Sequence, residues 1–284
     1  MEKTSYRKLL TKAANILKDE NIENIEYDIK TILRDTFDID YNKFVMDMDN
    51  EFEADKSLEY EFISRIEKRK KHIPLQYIIN KQNFYGLDLY VNESVLIPRY
   101  DTENIVDCIV KDFEGSKDIS VLDLCTGSGC IAISLKKNGF EKVFALDISD
   151  KALEVAKHNA YIHNADITFI KSDLYKELPN DIRFDLIVSN PPYIRTGEIE
   201  KLDDEVKDFE PKLALDGGKD GLDFYKKILN LSKDFINKNG SLYFEIGYDQ
   251  AKDVVDLAKK EGYYNIKIIK DLSGKDRGIS MRVD

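Results

Sequence analysis

Apolar residues recur at three- and four-residue spacing through the first eighty positions. Tyr6, Leu9, Leu10, Ala13, Ala14, Ile16 and Leu17 form one stripe, and Ile25, Ile29, Ile32 and Leu33, with Thr36, form a second. A third helix is predicted over Phe52 to Lys71, carrying Leu58, Phe62, Ile63 and Ile66. It ends in Lys68-Arg69-Lys70-Lys71, cations placed where a helix macrodipole favours them. That run reads as a solvated helix end rather than a nucleic-acid contact. Pro74 stops the helical pattern. Residues 83–91 then read as two short strands around a turn at Gly86, a hairpin between domains.

From about residue 92 the period changes. A helix follows Asp101-Thr102, and short β-branched runs then alternate with amphipathic helices. Strands are predicted over 119–124, 142–147, 167–171, 184–189, 241–246 and 265–270, with a last run over 278–283 pairing antiparallel. Alternating strands and helices imply an α/β fold whose mostly parallel sheet is covered on both faces. Ligands in such sheets bind beyond the carboxyl ends of the strands.

Composition narrows the function. The chain has 284 residues, room for about two domains. A formal net charge of −11 disfavours tight binding to DNA or RNA, where Lys and Arg supply most of the affinity. It suits a basic protein partner, or serves solubility alone. Cys108, Cys125 and Cys130 are odd in number and lack metal-ligand spacing, so they read as reduced thiols and no metal is expected. The start, Met1-Glu2-Lys3-Thr4-Ser5-Tyr6, lacks the apolar core of a signal peptide, and no run of about 18 apolar residues occurs. A cytoplasmic protein without a membrane segment is expected.

The candidate chemistry lies after the strands. Val121-Leu122-Asp123-Leu124 runs into Cys125-Thr126-Gly127-Ser128-Gly129, which opens a helix. Gly127 and Gly129 allow a tight turn and close approach of a ligand. Asp147 ends the next strand, where a carboxylate accepts hydrogen bonds from ribose hydroxyls. The glycine spacing also matches an NAD-type fingerprint. Asp123 tilts the choice, because a carboxylate there repels a pyrophosphate but suits an ammonium and a sulfonium. After the third strand, Asp173 offers an acceptor to an adenine amino group and Leu174 a packing surface; a helix N-cap explains the same residues equally well.

The fourth strand ends in Asn190-Pro191-Pro192-Tyr193. Two prolines stiffen the backbone. They aim the Asn190 side chain and the Pro191 carbonyl at one point, two acceptors for the two donors of an –NH₂ group. Tyr193 supplies a flat face for a planar amide or base. An amide nitrogen is a poor nucleophile, and accepting both N–H bonds raises its electron density while holding it in line. Positioning of this kind contributes roughly 7–11 kcal/mol to a barrier, and the acceptors stabilise the positive charge that develops.

The whole constellation resembles the bacterial release factor glutamine methyltransferases, the PrmC or HemK group, over nearly the full length. Asn190-Pro191-Pro192-Tyr193 alone is shared with adenine-N6 and ribosomal RNA methyltransferases. More specific likenesses are Pro74-Leu75-Gln76-Tyr77-Ile78, Phe84-Tyr85-Gly86-Leu87 and 95–103, followed by Glu210-Pro211 with 214–222, Glu245-Ile246-Gly247 and 271–277. The resemblance implies a helical substrate-recognition domain over 1–80, a β-hairpin linker over 81–93 and a Rossmann-like class I methyltransferase domain over 94–284. It implies transfer of a methyl group from S-adenosylmethionine to the glutamine N5 of the Gly-Gly-Gln motif in class 1 peptide chain release factors. A monomer is expected.

On this reading Asp123, Cys125, Thr126, Gly127, Ser128, Gly129, Asp147, Ile148, Asp173, Leu174 and Asn190 hold the cofactor. Asn190, Pro191, Pro192 and Tyr193 hold the substrate, with Asn190, Pro191 and Tyr193 acting in the chemistry. Cys125 stands where glycine is frequent in the family, Leu174 where an aromatic is, and Tyr100 where proline is. The rival readings are an adenine-N6 methyltransferase acting on DNA or rRNA, which flips a base into the same clamp, and a non-catalytic S-adenosylmethionine-binding module.

Overall fold

The computed structural model describes residues 3–53 and 55–283. Met1, Glu2, Ala54 and Asp284 lie outside them, so the two ends of the expected domain ranges, the first two residues of the chain start and one position of the expected third helix are not described. The chain divides into two compact units, Met1–Asn80 with Asp203–Phe209, and Lys81–Leu202 with Glu210–Asp284.

The first unit is helical, with α1 (Tyr6–Leu17), α2 (Ile25–Thr36), α3 (Tyr41–Met46), α4 (Lys56–Lys70) and α5 (Leu75–Ile79); β1 (Lys3–Thr4) pairs antiparallel with β2 (Phe52–Glu53). The apolar stripes of α1, α2 and α4 converge, burying Leu9, Ala13, Leu17, Ile32, Leu33, Phe62 and Ile66. The expected third helix begins only at Lys56, because Asp55 caps it by accepting from the Ser57 N–H at 2.8 Å. Pro74 ends one helical pattern and opens another, as the N-cap of α5. Arg69, read as part of a solvated helix end, is instead 3 % exposed. It pairs with Asp28 Oδ2 and Glu205 Oε1, each at 2.6 Å. Glu205 lies on α9 (Asp204–Phe209), which clusters with this unit although it comes late in the chain.

The second unit opens with a hairpin of β3 (Gln82–Phe84) and β4 (Leu87–Leu89). Tyr85 and Gly86 both have positive φ, 50° and 76°, the geometry of a two-residue hairpin turn. The expected helix begins at Tyr100, one residue before Asp101, as α6 (Tyr100–Asp112). The sheet and its covers then follow as β5 (Ser120–Leu124), α7 (Cys130–Lys137), β6 (Lys142–Asp147), α8 (Asp150–Ile162), β7 (Thr168–Lys171), β8 (Phe184–Ser189), α10 (Lys212–Leu215), α11 (Asp223–Ser232), β9 (Ile236–Glu245), α12 (Ala251–Lys260), β10 (Tyr264–Lys270) and β11 (Asp276–Arg282).

Strand order is β10-β11-β9-β8-β5-β6-β7. Strands β9, β8, β5, β6 and β7 run parallel, and β11 lies antiparallel between β9 and β10. Alternate residues serve opposite faces. Leu122, Leu124, Ile187, Leu242 and Phe244 pack on the α11 and α12 side, while Val121, Leu186, Val188 and Tyr243 pack on the α6 and α7 side. This is the class I methyltransferase architecture. The chain leaves β5 toward β6 on one side and reaches β8 on the other, which opens a crevice at their carboxyl ends.

Candidate active site

The crevice holds a cavity lined by residues from four strand ends. At the end of β5 the backbone turns back on itself. Cys125 has φ 60°, Gly127 55° and Gly129 81°. A Cβ on Gly129 would stand 3.1 Å from Ile133 Cδ1 and 3.2 Å from the Ala156 methyl, so this glycine permits close packing of α7 on α8. At Gly127 a Cβ would meet nothing within 4 Å, and the residue lines the cavity, leaving its backbone open to a ligand. Cys125 takes up a left-handed conformation that glycine adopts more cheaply, and burial pushes its thiol pKa far up, so it is a neutral wall of the loop.

Two carboxylates fix this loop. Asp123, fully buried, accepts through Oδ2 from Thr126 Oγ1 at 2.6 Å and from the Ala132 N–H at 3.2 Å. It is not among the residues lining the cavity, and Oδ1 has no hydrogen-bond partner among the described residues. Burial raises its pKa to about 7. Asp147 does line the cavity. Its Oδ2 accepts from the Gly127 N–H and its Oδ1 from the Ser149 N–H, both at 2.9 Å. The Ile148 N–H also favours the charged form, and the carboxylate keeps acceptor capacity toward the cavity, which fits a ribose hydroxyl. Burial raises the Asp147 pKa against the pull of those backbone N–H groups.

Apolar cover lies beside Asp147. Ile148 lines the cavity while 47 % exposed, and Leu174 lines it while buried. Leu174 has φ 53°, and Ser172 Oγ holds its carbonyl at 2.6 Å. Asp173 lines the cavity and pairs with Lys176 at the surface. Ser172 and Asp173 lead from β7 into a turn and not into a helix. Thr126, Ser128 and Cys130 belong to the same lining.

Asn190 and Pro192, beyond β8, line this same cavity; Pro191 and Tyr193 do not. Tyr193 turns its hydroxyl inward and donates to Glu245 Oε1 at 3.3 Å. Its main chain is clasped. Gln250 Nε2 donates to the Tyr193 carbonyl at 2.9 Å, and Gly217 and Gly221 press against the corner, where a Cβ would come within 2.7 Å of Tyr193 Cα and 2.5 Å of Tyr193 O respectively. The strand leaving the corner is tied to residues 215–218 through Ile194 N to Leu215 O at 3.0 Å and Gly217 N to Ile194 O at 2.8 Å.

Sequence reasoning missed several of these groups. Thr102, almost completely buried, lines the cavity beside Asn190; Glu245 and Gln250 are buried against Thr102 and Tyr193; and Arg99, ion-paired to the buried Glu210, also lines the cavity. The segments that contain Thr102, Glu210 and Glu245 stand out in the sequence as specific likenesses, yet no local pattern gives them a role. Among the described residues no cluster of three or more His, Cys, Asp or Glu could hold a metal ion, and no helix is long and apolar enough to cross a membrane.

The chain is similar to known proteins over both units. Residues 8–79 match the family described as the PrmC N-terminal domain, and residues 102–206 match the Methyltransferase small domain. A release factor glutamine methyltransferase of Flavobacterium psychrophilum is 39% identical over 283 residues, 98% of each chain. One from Clostridium acetobutylicum is 38% identical over 272 residues, 94% of this chain and 95% of that one. Among solved structures, a methyltransferase from Pyrococcus furiosus superposes with a TM-score of 0.52 at 19% identity, over 78% of this chain and 96% of that one, a likeness of fold.

Proposed function

The chain belongs to the family of release factor glutamine methyltransferases, and on that premise we propose that it methylates the glutamine N5 of the Gly-Gly-Gln motif in class 1 peptide chain release factors. The observation that carries this reading is one cavity lined at once by Gly127, Asp147 and Leu174 and by Asn190 and Pro192. A nucleoside site and an amide clamp therefore share one space.

The residues fit S-adenosylmethionine, which when bound supplies an electrophilic methyl group. Gly127 offers bare backbone, Asp147 holds the ribose hydroxyls, and Ile148 and Leu174 give the adenine an apolar berth. The loop from Cys125 to Gly129 encloses the amino-acid end, with Asp123 keeping its turn in shape. Asn190 Oδ1 and the Pro191 carbonyl accept the two N–H bonds of the glutamine amide. These acceptors orient the nitrogen and offset the positive charge it gains as its new bond forms. Pro192 and Tyr193 set the corner that aims them.

Residues 1–80 serve substrate recognition, 81–93 act as the hairpin linker, and 94–284 carry the transfer. The enzyme works as a monomer in the cytoplasm, without nucleic acid or metal. Incubation with S-adenosylmethionine and a release factor, followed by mass spectrometry of the Gly-Gly-Gln peptide, tests this. One added methyl group on that glutamine is expected; methylation of DNA or rRNA in its place would overturn it.

A further inference from the structure

The two ends of the Asn190 amide are chemically opposite, since Oδ1 accepts and Nδ2 donates. Only Oδ1 serves a substrate –NH₂. Half a turn about the terminal bond would set N–H groups against N–H groups. The structure holds the other end of the amide. Asn190 Nδ2 donates to Thr102 Oγ1 at 3.4 Å, and Thr102 Oγ1 donates to Glu245 Oε2 at 2.5 Å. Thr102 and Glu245 are almost completely buried. A hydroxyl has one proton. Once it is committed to a carboxylate, Oγ1 can only accept, and what it accepts is the Asn190 –NH₂. The other oxygen of Glu245 accepts from Tyr193. Tyr193 directly and Asn190 through Thr102 therefore hang from one carboxylate, which ends β9 and has Asp101 and Arg277 as its charged neighbours.

We propose that Thr102 and Glu245 are positioning residues that dictate which end of the Asn190 amide meets the substrate, making the site select an –NH₂ acceptor over an isosteric carboxylate. The inference rests on the reading of Asn190 as an acceptor for the glutamine amide. It gives a reason for two buried polar groups whose hydrogen bonds run to Asn190 and Tyr193. In a water-poor site a reversed amide replaces an attraction with a repulsion, and polar mismatches of this kind are costly.

The test compares Thr102→Val, which keeps the shape and loses the hydroxyl, with Thr102→Ser, which keeps the hydroxyl. Both are assayed on a release factor in mildly alkaline buffer, where Glu245 is ionised. Thr102→Val should lower kcat on the order of a hundredfold, with the S-adenosylmethionine dissociation constant little changed, and Thr102→Ser should restore most of the rate. A release factor carrying glutamate at the acceptor position should inhibit Thr102→Val about tenfold more strongly than wild type, since a donor now faces the carboxylate. Glu245→Gln, able to turn an N–H toward Thr102, should move that inhibition in the same direction. An unchanged kcat in Thr102→Val, no recovery in Thr102→Ser, or an unaltered preference between glutamine and glutamate overturns the proposal. Failure of the wild-type enzyme to methylate the release factor at all overturns the functional reading beneath it.

Discussion

Gly217 lies so close under Tyr193 that a methyl group on its α-carbon would stand 2.7 Å from the Tyr193 Cα and 2.8 Å from the Pro192 carbonyl oxygen. Backbone atoms cannot retreat as a flexible side chain can, and Gln250 already holds the Tyr193 carbonyl from another side. The corner that aims Asn190 is thus located by glycine contact as much as by its prolines. Gly217→Ala should displace the corner by some tenths of an ångström and lower kcat on the order of tenfold or more. The loop from Cys125 to Gly129 is far along the chain and is not among the nearest neighbours of a Cβ on Gly217, so the S-adenosylmethionine dissociation constant should stay near wild type. Steady-state kinetics with calorimetry on the same preparation checks both; a weakened cofactor with intact kcat would show the constraint lies elsewhere.

Asp147 and Asn190 line one cavity, and the proposed function gives them different parts of the reaction. Asp147 is committed to the loop through Gly127 and to the turn through Ser149. Removing it takes away one brace of the loop and, on the proposed reading, the acceptors for the ribose. Asp147→Ala should raise the S-adenosylmethionine dissociation constant by about a hundredfold, the loss of roughly two hydrogen bonds to a charged group. Asn190→Ala should instead lower kcat by on the order of a hundredfold or more, with only a modest change in that constant. Calorimetry and single-turnover methylation separate the two; equal behaviour of the variants would merge roles that the geometry keeps apart.

How far the sequence discloses this site depends on whether the signal is local. The runs 142–147 and 184–189 form strands within those bounds because their buried positions are apolar, Ser189 at the end of the second excepted. Strand β9 starts at Ile236, five residues before the expected start; its first residues are not legible in the sequence because Asn237-Lys238-Asn239 is polar and carries no buried-strand pattern. Pairing of Lys3–Thr4 with Phe52–Glu53 is a matter of backbone alone and leaves no trace in side-chain type. The glycine loop and the Pro-Pro corner announce themselves because their chemistry is contiguous. The Thr102–Glu245 bond joins residues 143 positions apart, and no periodicity links them. Asp123 is legible as a carboxylate beside the loop, but only its bonds to Thr126 and Ala132 reveal that it turns into the protein.

Glu245 also couples the site to stability. Burial lifts its pKa from the ordinary 4.5 to about 7, against the pull of Thr102 and Tyr193. Between those two values the folded chain keeps a proton that the unfolded chain has released. The stability this contributes is fully present below the unfolded value and disappears as pH rises through the folded one. Glu245→Gln has no such dependence. Its unfolding free energy should therefore gain on wild type by on the order of 3 kcal/mol from mildly acid to mildly alkaline buffer. Urea unfolding of both proteins across that range measures the difference. A gap that stays constant with pH would mean that Glu245 is ionised throughout.

Arg69 offers the sharpest test of the helical unit. Its side chain is 4 % exposed and pairs with Asp28, 7 % exposed, and with Glu205, 34 % exposed. A third donor reaches the Ile73 carbonyl at 3.1 Å. Burial raises the Asp28 pKa, and Arg69 opposes that shift, so the pair stands or falls together. Arg69→Met leaves Asp28 buried without its cation and should cost about 3–5 kcal/mol. Replacing both, Arg69→Met with Asp28→Leu, removes the uncompensated charge and should recover most of that loss, since apolar groups of similar volume substitute well for a buried pair. Glu205, more open to water, tolerates the absence of its partner. Because Glu205 sits on α9, Arg69→Met should also expose Asp203–Phe209 to limited proteolysis, and the double variant should remain cleavable there despite its recovered stability. Denaturant melts and proteolytic mapping of the three proteins decide the matter: protection of α9 in the double variant would show that Arg69 is not what holds it.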